Sequence, residues 1–182
     1  LSIRRQRQMC IRDSSRIRAM VEELMTLAQM DSWQYSLQLA PASLDRILQD
    51  AVEAVEPKAL RFGIEINLYG GNINLTCDAQ KLYQVFLNLL DNAVKYSEKG
   101  SRVDVTAAES GEHAIVRVKD TGVWIPEEDL PHIFDPFYRG ESSGGSGHAG
   151  LGLAIARRIM SLQGGDICVE NLSSGGASFC IR

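Results

Sequence analysis

Two carboxamides and an ammonium stand at helical spacing in the stretch from Asp78 to Ser97, DAQKLYQVFLNLLDNAVKYS. Asn88, Asn92 and Lys95 fall on an arc of roughly 60° when each residue advances about 100° around a helix axis. A carboxamide oxygen is a neutral, hard ligand, suited to a magnesium ion that keeps waters and phosphates in its shell. A lysine ammonium is a point charge suited to phosphate oxygens. The trio has the chemistry of a magnesium–polyphosphate site. It is also what the solvated border of an amphipathic helix looks like, so neighbouring elements must decide.

The helix that would carry these groups is well marked. Leu82, Val85, Phe86, Leu89 and Ala93 recur at helical spacing and draw one apolar stripe. Asp78 stands where a side-chain cap can hold the first free amides. Downstream come Asp120-Thr121-Gly122-Val123-Trp124-Ile125-Pro126, then Ile133-Phe134-Asp135-Pro136-Phe137-Tyr138-Arg139, then Gly150-Leu151-Gly152-Leu153-Ala154-Ile155. Asp120 ends a strand and aims a carboxylate at a loop. Gly150 and Gly152 open a helix whose amides and positive end can face phosphate oxygens.

In this order the four segments resemble the nucleotide-binding boxes of sensor histidine kinases, members of the ATPase family that includes DNA gyrase B-subunits, the heat-shock protein of ninety kilodaltons and MutL. Asn88 to Ser97 resembles the asparagine box, Asp120 to Pro126 the first glycine box, Phe134 to Arg139 the phenylalanine box, and Gly150 to Ile155 the second glycine box. The resemblance runs from about residue 11 to the end. It implies ATP and Mg2+ as cofactors, with Asn92 as the metal ligand and Asn88, Lys95 and Arg139 as the catalytic set. It further implies nucleotide contacts from Asn88, Asn92, Lys95, Tyr96, Asp120, Gly122, Ile125, Phe137, Gly150, Leu151, Gly152 and Leu153, with Asp120 accepting from the exocyclic amine of adenine. Asn88 stands where the hydrolysing relatives place a glutamate. An amide takes no proton from water at neutral pH, so this position favours a protein acceptor over solvent.

Two departures from the pattern stand out. Trp124 occupies the position of the second glycine of the first glycine box, where backbone must approach a ligand or take a positive φ. The indole would fill part of the pocket or swing aside. The alternative function is therefore a dimerisation or docking module of the same fold with its pocket obstructed by Trp124. The phosphoacceptor is also absent, because none of His113, His132 and His148 lies on a bundle helix followed by an acidic residue. A free-standing hydrolase of the gyrase type is a third option, opposed by Asn88 and by the bundle helix described next.

From Asp13, the residues Ile17, Met20, Val21, Leu24, Met25 and Ala28 repeat at three and four, a bundle helix ending near Asp31 that needs a partner to bury its stripe. The resemblance makes residues 13–31 the second helix of a dimerisation and phosphotransfer hairpin, the route to a homodimer. Residues 32–43 read as a connector with a short strand around Tyr35 to Leu39, closed by Pro41. Residues 44–182 read as the catalytic domain. In it, a helix capped by Ser43 runs until Pro57 stops it, and Gly63 to Tyr69 and Ile73 to Cys77 alternate as strands around a turn at Gly70-Gly71. After the central helix come strands at 103–107 and 114–120, a helix over 151–162, and a closing hairpin around 173–176. The consistent fold class is α+β, a two-layer α/β sandwich with one mixed sheet covered on one face by helices.

Composition and charge narrow the classes. With 45% hydrophobic and 23% charged residues, the chain can bury one good core, and a net charge of −4 gives no reason to expect nucleic-acid binding. No apolar run approaches a membrane span and no secretory signal is visible, so the expected location is cytoplasmic, with any membrane attachment of a parent protein lying in missing N-terminal segments. Residues 1–12 carry the string RQMCIRDS, which resembles translated adapter DNA, and are read as an unreliable or disordered arm. Cys10, Cys77, Cys168 and Cys180 form no C-x-x-C pair, which fits reduced thiols and opposes a zinc site. The expected partners are the acceptor histidine of another helix and a response regulator.

Overall fold

The computed structural model describes residues 17–182 apart from 19, 31, 33, 34, 112 and 141–148. The expected N-terminal arm, the first residues of the bundle helix, most of the Gly/Ser-rich loop and His148 lie outside the described residues. Helix α1 covers 20–30. There follow β1 (Ala40–Ser43), α2 (Leu44–Phe62), β2 (Glu65–Tyr69), β3 (Asn74–Cys77), α3 (Ala79–Tyr96), β4 (Arg102–Ser110), β5 (His113–Asp120), α4 (Gly152–Leu162), β6 (Ile167–Asn171) and β7 (Ala177–Ile181).

The main sheet has five strands in the order β2-β4-β5-β7-β6. Only the β2–β4 pair is parallel, because a crossover through β3 and α3 joins those two strands; the other pairs are antiparallel. Alternation sends Val103, Val105, Val116, Val118, Phe179 and Ile181 to the buried side. There they meet the stripes of α2, α3 and α4, with Leu48, Phe86, Leu89, Ile155 and Ile159 almost fully buried. The other face of the sheet has no helix over it among the described elements. The fold class is the expected sandwich, with a small second sheet, β1–β3, added at its edge.

Asp78 shows how the central helix is placed. Its carboxylate caps α3 by accepting from the Lys81 amide and also accepts from the Gln38 amide, while its own amide donates to the side chain of Gln163 at the end of α4. One residue therefore ties the connector, α3 and α4 together.

Two expectations need correction. The strand expected around Tyr35 to Leu39 lies at Ala40–Ser43, where Pro41 sits opposite Thr76 instead of closing it. Proline is tolerated there because a two-stranded sheet offers an edge that needs no donor from it. Pro57 does not stop α2, which runs to Phe62. One lost amide bond costs less than burying Val55 and Ala59 gains, and the true stop is left-handed Gly63, whose amide bonds the carbonyls of Ala59 and Leu60. The expected turn at Gly70-Gly71 leads from β2 into β3, which pairs with β1. Gly70 holds φ +138° against β4, where a Cβ would stand 2.7 Å from the Ala107 carbonyl oxygen.

Candidate functional site

A cavity of about 500 Å³ opens between α3, the loop after β5, the turns over 127–138 and the start of α4. Its size suits a nucleotide. Of the residues expected in the site, Asn88, Asn92, Lys95, Tyr96, Asp120, Ile125, Arg139, Gly150, Leu151, Gly152 and Leu153 line it. Gly122 and Phe137 do not.

One end is built from buried, mutually bonded groups. The Asp120 carboxylate is 5% exposed, and its Oδ1 accepts from the amides of Gly122 (2.9 Å) and Ala177 (3.3 Å). Oδ2 is then the oxygen that a donor in the cavity would meet. Burial pushes this carboxyl above its ordinary value, and the backbone bonds oppose that shift. Gly122 acts from behind: a Cβ there would stand 2.3 Å from the Tyr96 carbonyl oxygen. Gly176, at φ +82°, has the same role on the other side, since its Cβ would come 2.1 Å from the Asp120 carbonyl oxygen. Both glycines allow three backbones to converge on one carboxylate.

The other end is made of polar side chains around the start of α4. Leu151 caps α4 without a side-chain bond, so the first amides of that helix have no side-chain acceptor among the described residues. Asn88 donates from Nδ2 to the Gly152 carbonyl at 2.8 Å and so fixes α3 to that helix start. Asn92 lies one turn further along the same wall, half-buried. Lys95 donates to the Tyr96 hydroxyl at 2.8 Å and stands 4.4 Å from the centroid of its ring. Tyr96 is 37% exposed, so it is not a core residue. Lys58 of α2 pairs with Asp91, and both reach the cavity. Glu23 of α1 lines it too, with burial pushing its carboxyl up.

The aromatics of the third segment divide into separate roles. Phe134 is core, edge-on to Phe179 at 6.4 Å. Phe137 is 54% exposed at φ +66°, and its amide donates to the Gly150 carbonyl at 3.0 Å, so it holds the chain turn and not the cavity. Tyr138 lines the cavity and donates to Asp129 at 2.7 Å; that bond leads the causes that push its phenol up to about 12. Trp124 is 59% exposed and is itself one of the residues that line the cavity, which has about 500 Å³ with the indole in place.

Sequence reasoning missed Asn171 and Asp129. The carboxamide of Asn171 accepts from the Ile125 amide (3.0 Å) and donates to the Ile125 carbonyl (2.7 Å), imitating a strand neighbour for the loop after β5. Its only sequence signal was an Asn at a strand end. Asp129 is 8% exposed and receives Tyr138, and a Cβ on Gly140 would come 2.1 Å from its Oδ2. An acidic residue ten positions before an Arg-Gly pair carries no comparable signature.

Chemically, the cavity offers a buried acceptor at one end and carboxamides, cations and free helix amides at the other. That pairing fits an amino-bearing base joined to a polyphosphate. No group of three or more His, Cys, Asp or Glu side chains is arranged for a metal among the described residues. A metal here would be held by carboxamide oxygen and phosphate, and Asn92 has the donor for it.

Comparison with known proteins agrees with this chemistry. The family described as histidine kinase-, DNA gyrase B-, and HSP90-like ATPase matches residues 77–182. The circadian input-output histidine kinase CikA of Synechococcus elongatus is 30% identical over 89% of this chain and 22% of its own length. The signal transduction histidine-protein kinase ArlS of Staphylococcus aureus is 30% identical over 94% of this chain and 38% of its own. The structure of full-length ShkA in complex with AMPPNP superposes with a TM-score of 0.84 at 28% identity, covering 97% of this chain and 38% of ShkA. The chain thus spans well under half the length of these relatives.

Proposed function

The chain belongs to the histidine kinase-, DNA gyrase B-, and HSP90-like ATPase family, and from that premise we propose that it is the ATP-binding catalytic portion of a two-component sensor histidine kinase. It transfers the terminal phosphoryl group of ATP to a histidine on an acceptor helix that this sequence does not contain. The observation that carries the reading is the cavity that joins the buried Asp120 carboxylate to the uncapped start of α4 along the wall of Asn88, Asn92 and Lys95.

In this reading Asp120 accepts from the adenine amine, and the close packing of Gly122 and Gly176 behind it leaves the carboxylate no freedom to retreat. Ile125, held by Asn171, and Leu153 flank the base. The amides after Gly150 and Leu151 receive phosphate oxygens. Asn92 would hold Mg2+, which when bound would neutralise charge developing on the phosphates. Lys95 exchanges its Tyr96 partner for a phosphate oxygen, and Arg139 meets the terminal phosphoryl group. Asn88, with no proton to accept, orients the helix start and leaves attack to the acceptor imidazole.

The division into a dimerisation helix at 13–31, a connector at 32–43 and a catalytic domain at 44–182 belongs to the same proposal. Its support is the outer stripe of α1, where Val21, Leu24 and Met25 are each more than two-fifths exposed, while its last turn buries Met30 and receives Arg158 on the Met30 carbonyl at 3.2 Å. The stripe suits a second helix or subunit. A homodimer and a response regulator are the partners this implies. No helix among the described residues is long and apolar enough to cross a membrane. The obstructed-pocket alternative rests on Trp124, which lines the cavity while 59% exposed.

Mixing the chain with an acceptor hairpin and ATP labelled at the terminal phosphate tests the proposal. Acid-labile label on the acceptor histidine is expected, falling at least about 100-fold with Asn92→Ala. Nucleotide seen to bind by calorimetry, with label released only as inorganic phosphate, would sink it.

A further inference from the structure

The outer face of the sheet carries a pair of thiols that the nucleotide site does not use. Cys168 on β6 lies directly opposite Cys180 on β7. Their sequence neighbours Ile167, Phe179 and Ile181 are core residues, so alternation turns both cysteines to the face without helices. Both are free thiols, Cys168 exposed and Cys180 half-buried.

The register also sets the backbone separation. Asp166 and Arg182 exchange both backbone hydrogen bonds, at 2.8 and 2.9 Å. Cys168 and Cys180 lie two residues further along each strand and therefore form a pair of the same hydrogen-bonded kind. Opposed Cα atoms in such pairs stand about 5.5 Å apart. Disulfides occur most often at Cα separations of about 5.5–6 Å. The two thiols already act on each other: behind burial, the neighbouring Cys180 thiol is among the causes that push Cys168 up, together with Asp166 and Glu170. On the far side, Arg117 of β5 stands opposite Cys180 in the strand register.

We propose that Cys168 and Cys180 form an oxidant-responsive dithiol that closes to an intrachain cross-strand disulfide on reaction with a low-molecular-weight disulfide. Cys168, the exposed thiol, attacks as thiolate on one sulfur of the small disulfide, forming a mixed disulfide and expelling one small thiolate. Cys180 then attacks the Cys168 sulfur and expels the second. The two protein protons end on the two small thiols. The protein loses two electrons and the small disulfide gains them. The bridge staples the β6–β7 hairpin, whose other end supplies Asn171 to Ile125 and the Ala177 amide to Asp120.

Oxidised glutathione, added to the full chain carrying Cys10→Ser, gives the test. The expected product has a mass lower by two hydrogens, a proteolytic peptide pair linked through Cys168 and Cys180, and a Tm raised by roughly 5–10 °C that dithiothreitol reverses. Cys168→Ser and Cys180→Ser should each abolish all three signals. A glutathione adduct that persists on Cys168 while Cys180 remains open to alkylation overturns the proposal, and so does linkage between chains through Cys168.

Discussion

The two ends of the cavity are built on different principles. At the Asp120 end, the functional carboxylate is fixed by backbone: amides of Gly122 and Ala177 bond its Oδ1, and two glycines let the chain close within contact distance behind it. At the Asn92 end, the groups are side chains reaching toward solvent, and several of them already have partners, among them Asn88 on Gly152, Lys95 on Tyr96 and Lys58 on Asp91. The first end is organised before a ligand arrives. The second must trade internal bonds for ligand bonds, which lowers the net gain per contact and makes it the adjustable half of the site.

If that contrast is right, backbone substitutions at the rigid end should do the most damage. Gly176→Ala forces a Cβ to within 2.1 Å of the Asp120 carbonyl oxygen at φ +82°. A loss of about 3–4 kcal/mol in urea unfolding is expected, with adenine-nucleotide affinity falling alongside it. A fully stable Gly176→Ala chain would show that the close approach is not essential.

Asp120→Asn should rank next. It turns a donor toward the adenine amine, and calorimetry should find nucleotide affinity weaker by about 2 kcal/mol, or ~30-fold. The same variant reads the pH linkage. Because burial holds the folded carboxyl above its unfolded value, the folded chain keeps the proton longer, and the Asp120 contribution to stability declines as pH rises from the unfolded to the folded pKa. The stability of Asp120→Asn relative to the parent should therefore rise across that window and level off above it. An unchanged difference would mean that the carboxyl is not desolvated.

Tyr138→Phe removes the donor from the buried Asp129 carboxylate, and a lower Tm in thermal unfolding is expected. In the parent chain the phenol should resist ionisation until about pH 12, followed by its ultraviolet absorbance against the Tyr138→Phe control. The smallest effect belongs to Trp124→Gly. A side chain 59% exposed, lining a cavity that stays open at about 500 Å³, contributes little to the core. Stability should stay within about 0.5 kcal/mol and nucleotide Kd within about threefold. A large gain in affinity from Trp124→Gly would revive the obstructed-pocket reading.

Legibility in the sequence followed the range of the interaction. The stripe of α3 and its Asp78 cap, the alternation of β4 and β5, and the Gly150–Gly152 helix start are local patterns, and each appears in the fold where spacing put it. Pro57 and the connector strand misled because their outcome depended on what lay across the gap. Buried Val55 and Ala59 carried α2 past the proline, and β3 supplied a partner for Pro41. Asn171 escaped notice for the same reason, since it acts on Ile125 across 46 positions of chain. The phenylalanine-box residues were identified as a group, but only packing could separate core Phe134 from turn-forming Phe137 and cavity-lining Tyr138.

Residue order alone determined most of the helices and strands, the α+β class and the four segments that converge on one cavity, because periodicity, caps and glycine turns act within a few residues of one another. Tertiary structure alone decided which oxygen of the Asp120 carboxylate the backbone holds, that Trp124 is largely exposed, and that two cysteines with no sequence motif stand opposite each other. Those outcomes depend on strand register and on backbones meeting at contact distance, and neither quantity exists until the chain has closed on itself.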